Sequence, residues 1–295
     1  MAAITNGVSV MMQSLKTLFW VSRPVSWINT AYPFAAGYLV TGGRDPLVFA
    51  IGTMFFLIPY NLLMYGINDV FDYESDILNP RKGGIEGATA NRAFHRTIIW
   101  ASVGLCLPFL AFLFTLGDAG TKLWLAYAIF MVLAYSAPVL RFKERPFLDS
   151  FTSATHFASP MVFAFLLNGW HAAYWPATLA FFAWGMASHA LGAVQDIIPD
   201  RLAGIASVAS IIGARSTLIL VGSLYAISGL LLVAYGLPGV IVALVALPFI
   251  HNAVRFIKLT DATSPKAHAA WRRFLWLNWV SGFVITQVLI WRLFI

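Results

Sequence analysis

Polar residues are scarce along this chain and fall in bunches, and between the bunches the sequence is apolar for one helix length at a time. Nine such apolar runs stand out, at 25–41, 47–67, 97–116, 122–138, 150–168, 174–195, 217–235, 238–256 and 274–294. A helix needs about 20 mostly apolar residues to cross a bilayer, and the runs meet or approach that length. Backbone N–H and C=O groups find no water in lipid, so segments of this kind close their hydrogen bonds internally, as helices. The pattern therefore predicts an all-α, polytopic membrane protein with about nine transmembrane helices, forming one domain over residues 1–295. The stretch from Met1 to Val21 carries an apolar patch, with no cleavable signal pattern.

Composition agrees: 60% of residues are hydrophobic and 11% charged, which is not the balance of a soluble globule. The net charge of +7 raises the question of nucleic acid, but its placement points to a membrane instead. Of the 19 Lys and Arg, all but Arg44, Lys122 and Arg292 fall on one side of the nine-run layout. Cytoplasmic loops carry such an excess, so the reading has the N-terminus cytoplasmic, the C-terminus outside, and no nucleic acid as partner. Cys106 is the sole cysteine and lies in an apolar run, so it reads as a packing residue. The six histidines make no zinc-type spacing with it.

Two acidic clusters end apolar runs on that same basic side. Six of the twelve acidic residues lie in Asn68-Asp69-Val70-Phe71-Asp72-Tyr73-Glu74-Ser75-Asp76 and Gln195-Asp196-Ile197-Ile198-Pro199-Asp200-Arg201. Carboxylates near a bilayer are costly and mark function by default. On a helix, Asp69, Asp72 and Asp76 share one face, as do Asp196 and Asp200. Like charges so placed repel one another unless cations reside there. Hard oxygen ligands suit Mg²⁺, which bridges a few carboxylates to substrate phosphates. The pattern thus points to a diphosphate held through Mg²⁺ at a cytoplasmic mouth. Pro199 is expected to end or bend its helix there.

Polar and basic neighbours extend the site. The first stripe continues back through Asn68, Tyr65 and Asn61; the second through Gly192, Ser188 and Gly185, small residues that let a helix or a flat substrate approach closely. Arg81 and Lys82 sit in a long, glycine-containing connection over 68–96, where a functional loop is expected. With Asn68, Arg141, Lys143 and Arg201 they are the candidate diphosphate-binding groups. Asn61, Tyr65, Ser188 and Gly192 are the candidate acceptor and cation pocket. On the prenyl-transfer chemistry that the resemblance described next implies, Tyr65, Phe71 and Trp184 are candidates by position to stabilise a carbocation, and His189 is the candidate base.

These residues resemble the UbiA superfamily of intramembrane prenyltransferases. Its Asn-Asp-x-x-Asp-x-x-x-Asp motif is matched by Asn68, Asp69, Asp72 and Asp76, and its Asp-x-x-x-Asp motif by Asp196 and Asp200. Within that superfamily the chain looks most like the lycopene elongases. The strings that carry this include Ser22-Arg23-Pro24, Asn29-Thr30-Ala31-Tyr32-Pro33-Phe34, Asn79-Pro80-Arg81-Lys82-Gly83-Gly84 and Arg141-Phe142-Lys143-Glu144-Arg145-Pro146. The resemblance implies a nine-helix bundle and Mg²⁺-dependent transfer of a dimethylallyl group from its diphosphate to lycopene. Relatives acting on aromatic or quinone acceptors share the aspartates, so those motifs alone do not choose the acceptor. Some elongases work as mixed-subunit pairs, which leaves a non-catalytic partner subunit as a rival reading. A transporter is the other rival, though its carboxylates belong at the midplane rather than at helix ends.

Overall fold

Short polar side chains and prolines set where the helices begin. The Asp45 carboxylate accepts from the backbone N–H groups of Leu47 and Val48, with Pro46 in the first turn. Asn91 and Asp118 cap two later helices in the same way, accepting from Ala93 and Thr121. Such caps satisfy backbone donors that a helix cannot satisfy itself.

The structure, a computed structural model, describes residues 2–77 and 90–294. Among them are fifteen α-helices: α1 Ala2–Val21, α2 Ile28–Val40, α3 Pro46–Leu57, α4 Pro59–Phe71, α5 Tyr73–Asp76, α6 Arg92–Leu113, α7 Ala119–Ser136 and α8 Leu148–Leu167 lead. Then follow α9 Trp175–Val194, α10 Ile197–Leu202, α11 Val208–Ile212, α12 Ala214–Leu232, α13 Gly236–Leu244, α14 Ala246–Arg255 and α15 His268–Phe294. Arg81 and Lys82 lie outside the described residues.

Seven stretches among the described residues are long and apolar enough to cross a membrane: Pro46–Phe71, Arg92–Leu113, Ala119–Ser136, Leu148–Leu167, Ala172–Val194, Ala214–Leu244 and Asp261–Arg292. The difference from nine runs has two physical sources. Helix α2 is 13 residues long, and the Pro24–Ser26 turn before it cuts its run short. The stretch Ala214–Leu244 contains a reversal: Gly236 has φ +69°, open to glycine without strain, and α13–α14 return along α12. The return brings Phe249 of α14 against Tyr225 of α12, with ring centroids 5.1 Å apart. The run at 47–67 is itself broken at Ile58, where Pro59 opens α4. Helix α1, read from the sequence only as an apolar patch, packs on α4.

Two large buried cores divide the bundle, beside a small third cluster of Val21, Leu62 and Ile98. One is built from α2, α3, α4, α6, α7 and α8 around Phe34, Phe55, Tyr60 and Phe163. The other gathers α9, α10, α11, α12, α14 and α15 around Leu191, Leu218, Tyr225 and Phe274. Helices α8 and α9 pack on each other and join the halves. Cys106 is buried in the first core, its Sγ 3.2 Å from the Pro59 carbonyl oxygen, as a packing residue should be.

Candidate active site

The two acidic motifs share one local backbone. Helix α4 stops at Asp72 (φ −99°, ψ 0°) and helix α9 stops just short of Asp196 (φ −96°, ψ 0°). This sparsely populated region is where many active-site residues sit. In each case a short helix follows, and the next aspartate donates its N–H to the carbonyl of the first: Asp76 to Asp72 at 2.8 Å and Asp200 to Asp196 at 2.8 Å. Pro199 stands in the first turn of α10, after the break rather than at it. A missing N–H costs nothing there.

Cationic and amide groups hold the first motif. Arg23 donates from Nη2 to Asp69 Oδ1 at 2.7 Å, and the Asp69 side chain is only 1% exposed. The guanidinium also lies 4.2 Å from the centre of the Tyr65 ring. Asn68 donates from Nδ2 to Asp72 Oδ2 at 2.6 Å and to Ser136 Oγ at 3.1 Å. Lys143, in the 3₁₀ turn Phe142–Glu144 between α7 and α8, is ion-paired with Asp72. Burial pushes the Lys143 ammonium down to about 8, against the pull of Glu144, Asp200 and Asp69. The Lys143 ammonium thus sits against the first motif and feels the charge of Asp200 in the second. On the second side, Asp200 accepts from Ser207 Oγ at 2.9 Å.

Not every expected residue is there. Arg201 donates to the Ser210 carbonyl at 2.9 and 2.7 Å and pairs with Asp261 at 2.8 Å, so its guanidinium ties α10 to α11 and to the turn before α15. Arg141, by contrast, stays at the site: it directly precedes the turn that carries Lys143 and pairs there with Glu144. Asn61 is fully buried and donates to Thr30 Oγ1, Phe56 O and Leu57 O, stitching the α3–α4 break. The low-relief wall expected of Gly185, Ser188 and Gly192 is filled by neighbouring helices. A Cβ on Gly185 would lie 2.9 Å from Ala154 Cα of α8, and one on Gly192 would lie 3.2 Å from the Trp271 ring of α15. Ser188 Oγ donates to Trp184 O at 2.7 Å and sits 3.3 Å from the Tyr225 hydroxyl of α12. Trp184 is itself stacked on Phe181, and Phe71 is turned outward. Tyr65 alone of the aromatic candidates adjoins the charges. Sequence reasoning missed Arg23 and Ser136 as site residues; the one available signal was an arginine between apolar runs and directly before a proline.

The donor set is hard oxygen throughout, with no sulfur or imidazole in it, which fits Mg²⁺ rather than zinc. Among the described residues no three such donors converge on one point.

Residues 30–278 match the model of the UbiA prenyltransferase family. The chain belongs to this family. It is 49% identical over 282 residues to the lycopene elongase/hydratase of Corynebacterium glutamicum, covering 95% of this chain and 98% of that protein. It is 48% identical over 285 residues to the C(50) beta-cyclic carotenoids biosynthesis protein LbtBC of Dietzia sp., covering 95% of this chain and 66% of that longer protein. Among solved structures, a UbiA homolog from Archaeoglobus fulgidus bound to DMAPP and Mg²⁺ superposes with a TM-score of 0.65 at 18% identity. That match covers 92% of this chain and 99% of the other, and establishes the UbiA fold. The protein is a multi-pass membrane member of the family.

Proposed function

We propose that this UbiA-family chain is a lycopene elongase, transferring dimethylallyl groups from dimethylallyl diphosphate to the ends of lycopene. The observation that carries this reading is 49% identity, end to end, with a lycopene elongase/hydratase. The ion pair between Lys143 and Asp72 of the first motif supports it.

Asp69, Asp72, Asp76, Asp196 and Asp200 are the groups that would hold Mg²⁺, which supplies Lewis-acid stabilisation of the departing diphosphate. Asn68 positions the Asp72 carboxylate. Lys143 and Arg141, with Arg81 and Lys82 from the connection after α5, bind the phosphate oxygens. Charge drawn onto the leaving group helps the allylic C–O bond to ionise, and a buried, preorganised site makes that electrostatic help large. Tyr65 adjoins the site through Arg23, whose guanidinium lies 4.2 Å from the centre of its ring. The acceptor's terminal double bond then attacks the allylic carbon, leaving a tertiary cation that water or proton loss must quench. A small soluble diphosphate enters from the charged mouth, which we place on the cytoplasmic side; a rigid hydrocarbon arrives sideways from lipid.

Pigment extraction from a lycopene-accumulating host tests this directly. Expression of the chain should convert lycopene into pigments carrying one or two added five-carbon units. Lycopene left intact with the protein in the membrane, while an aromatic quinone precursor is prenylated, would transfer the acceptor assignment elsewhere. Intact lycopene with no other product would indicate a missing partner subunit.

A further inference from the structure

The last helix, α15, has two sides of different character. Trp271 and Phe274 face α9: the Trp271 ring lies against Gly192, and the Phe274 and Trp184 ring centroids are 5.8 Å apart. The far side of α15 is open in two places. Near its start, Ala269, Arg272, Arg273 and Trp276 line a hollow of about 270 Å³. Further along, Leu277, Val280, Ser281 and Val284 form one wall of a groove, also about 270 Å³, whose other wall includes Val245 and Pro248 of the α13–α14 return. Steps of three and four residues connect these positions, from Arg272 through Trp276 to Val280 and Val284, and from Arg273 through Leu277 to Ser281. Both openings therefore lie along one side of the helix. Ser281, the polar side chain in the groove lining, donates to the Leu277 carbonyl at 2.6 Å, which leaves the groove apolar.

Charge at the head of this groove is of one sign. Arg255 ends α14, Lys258 and Lys266 follow in the connection, and Arg272 and Arg273 open α15. The Arg273 guanidinium is 5.6 Å from the centre of the Phe256 ring, so the basic start of α15 stands beside the basic end of α14. Asp261, the carboxylate in this stretch, is committed to Arg201 and to the Ala214 N–H. None of the five cations forms an ion pair with another described residue. Membrane topology asks only for positive charge on one side. It does not ask for two arginines in the wall of a hollow, an exposed Trp276 beside them, and an apolar groove continuing along the same side.

We propose that this side of α15 binds an anionic glycerophospholipid, with its phosphate on Arg272 and Arg273 and one acyl chain in the groove against α13–α14. A guanidinium bonds phosphate oxygens in pairs through its planar fork. Basic pockets between membrane helices are a recurrent setting for anionic head groups. Trp276 stands between the basic and apolar parts, where an indole ring sits at the level of the head groups. The two parts together select the occupant. Free phosphate would use the arginines and leave the groove unused, and a neutral hydrocarbon would do the reverse; a charged phospholipid uses both. Phe249 lines the groove and its ring centroid is 6.0 Å from that of Phe274, so the bound chain rests directly on the second core. The site is turned away from the face of α15 that meets α9, and its occupancy does not depend on which acceptor the enzyme uses.

Native mass spectrometry of the detergent-purified protein tests this, with phosphatidylglycerol and phosphatidylcholine of identical acyl chains as the titrated probes. Wild type should bind one phosphatidylglycerol about tenfold or more tightly than phosphatidylcholine, the scale set by two basic side chains at a head group. Arg272→Gln combined with Arg273→Gln should bring that ratio close to one. Lys16→Gln combined with Arg96→Gln removes the same charge from two other exposed positions and should leave the ratio unchanged. Val284→Trp fills the groove and should weaken both lipids by a similar factor. Arg272→Lys combined with Arg273→Lys keeps the charge without the fork and should give an intermediate ratio, which serves if the glutamine pair does not elute as a folded species. The site is overturned if wild type shows no preference, or if the Lys16 and Arg96 pair lowers the ratio as far as the Arg272 and Arg273 pair does. Unchanged lipid affinity in Val284→Trp would remove the groove from the site. Displacement of phosphatidylglycerol by an equal concentration of inorganic phosphate would reduce it to an anion site and equally refute the proposal.

Discussion

Acidic residues separate into two populations by what they bind. Asp45, Asp118, Asp149 and Asp261 accept backbone N–H groups and serve the fold. Asp69 and Asp72, by contrast, face the side chains of Arg23, Asn68 and Lys143. Only the second population should be indispensable for turnover. Asp72→Asn and Asp196→Asn keep size and remove charge, so each should lower kcat by about 10²-fold or more in protein that still elutes as a folded species. The double variant should lose little beyond the worse single one, because the carboxylates act as one unit; multiplicative losses would separate the two motifs. Arg23→Ala removes an ion-pair partner of a carboxylate that is 1% exposed. Breaking a buried pair costs about 3–5 kcal/mol, so thermal unfolding should occur at clearly lower temperature. Arg23→Lys should rescue only in part, since an ammonium does not reproduce a guanidinium that both bonds Asp69 and covers the Tyr65 ring. The aspartates were legible in the sequence because charge is so rare here. Arg23 was not, since positive residues at run ends also serve topology.

At the scale of elements, the sequence showed which segments are helical but not where they break. Asp69, Asp72 and Asp76 read as one helix face, whereas α4 ends at Asp72 and Asp76 belongs to the separate α5. The reversal at Gly236 is likewise hidden in a continuous apolar stretch, since hydropathy reports burial in lipid and not direction. Small residues were the most misleading signal. Spacing put Gly185, Ser188 and Gly192 on one face of α9, and that face is occupied by α8, α12 and α15. A glycine stripe means close approach, and nothing in one sequence says whether a helix or a substrate approaches. Gly185→Leu should therefore overpack the α8–α9 contact and destabilise by roughly 1–3 kcal/mol, read as a drop in melting temperature. Gly222 on α12 has open space where a Cβ would go, so Gly222→Ala should be neutral or stabilising by about 0.5–1 kcal/mol. If Gly185→Ala instead changes acceptor selectivity at unchanged stability, the packing assignment is wrong and the position lines the acceptor path.

The whole molecule is two cores meeting at a charged seam, with apolar helices facing outward. That plan explains how so few polar residues suffice: nearly all chemistry is gathered where the halves join. In the nine-run layout read from the sequence, all but three of the 19 Lys and Arg lie on the side of the acidic motifs, and we propose that this side is cytoplasmic. Single cysteines introduced at 141 or 203 should resist an impermeant maleimide applied to intact cells and react once the membrane is opened. Labelling from outside would invert the topology and with it the proposed entry of the soluble substrate. The account's central claim is transfer of a dimethylallyl unit to lycopene, and its most direct test is isotope transfer with purified protein. Labelled dimethylallyl diphosphate should place its label in the lycopene fraction when Mg²⁺ is present, and that incorporation should vanish with EDTA or with Asp72→Asn. Label that never enters the lycopene fraction, or that enters it equally in the Asp72→Asn variant, would contradict the account.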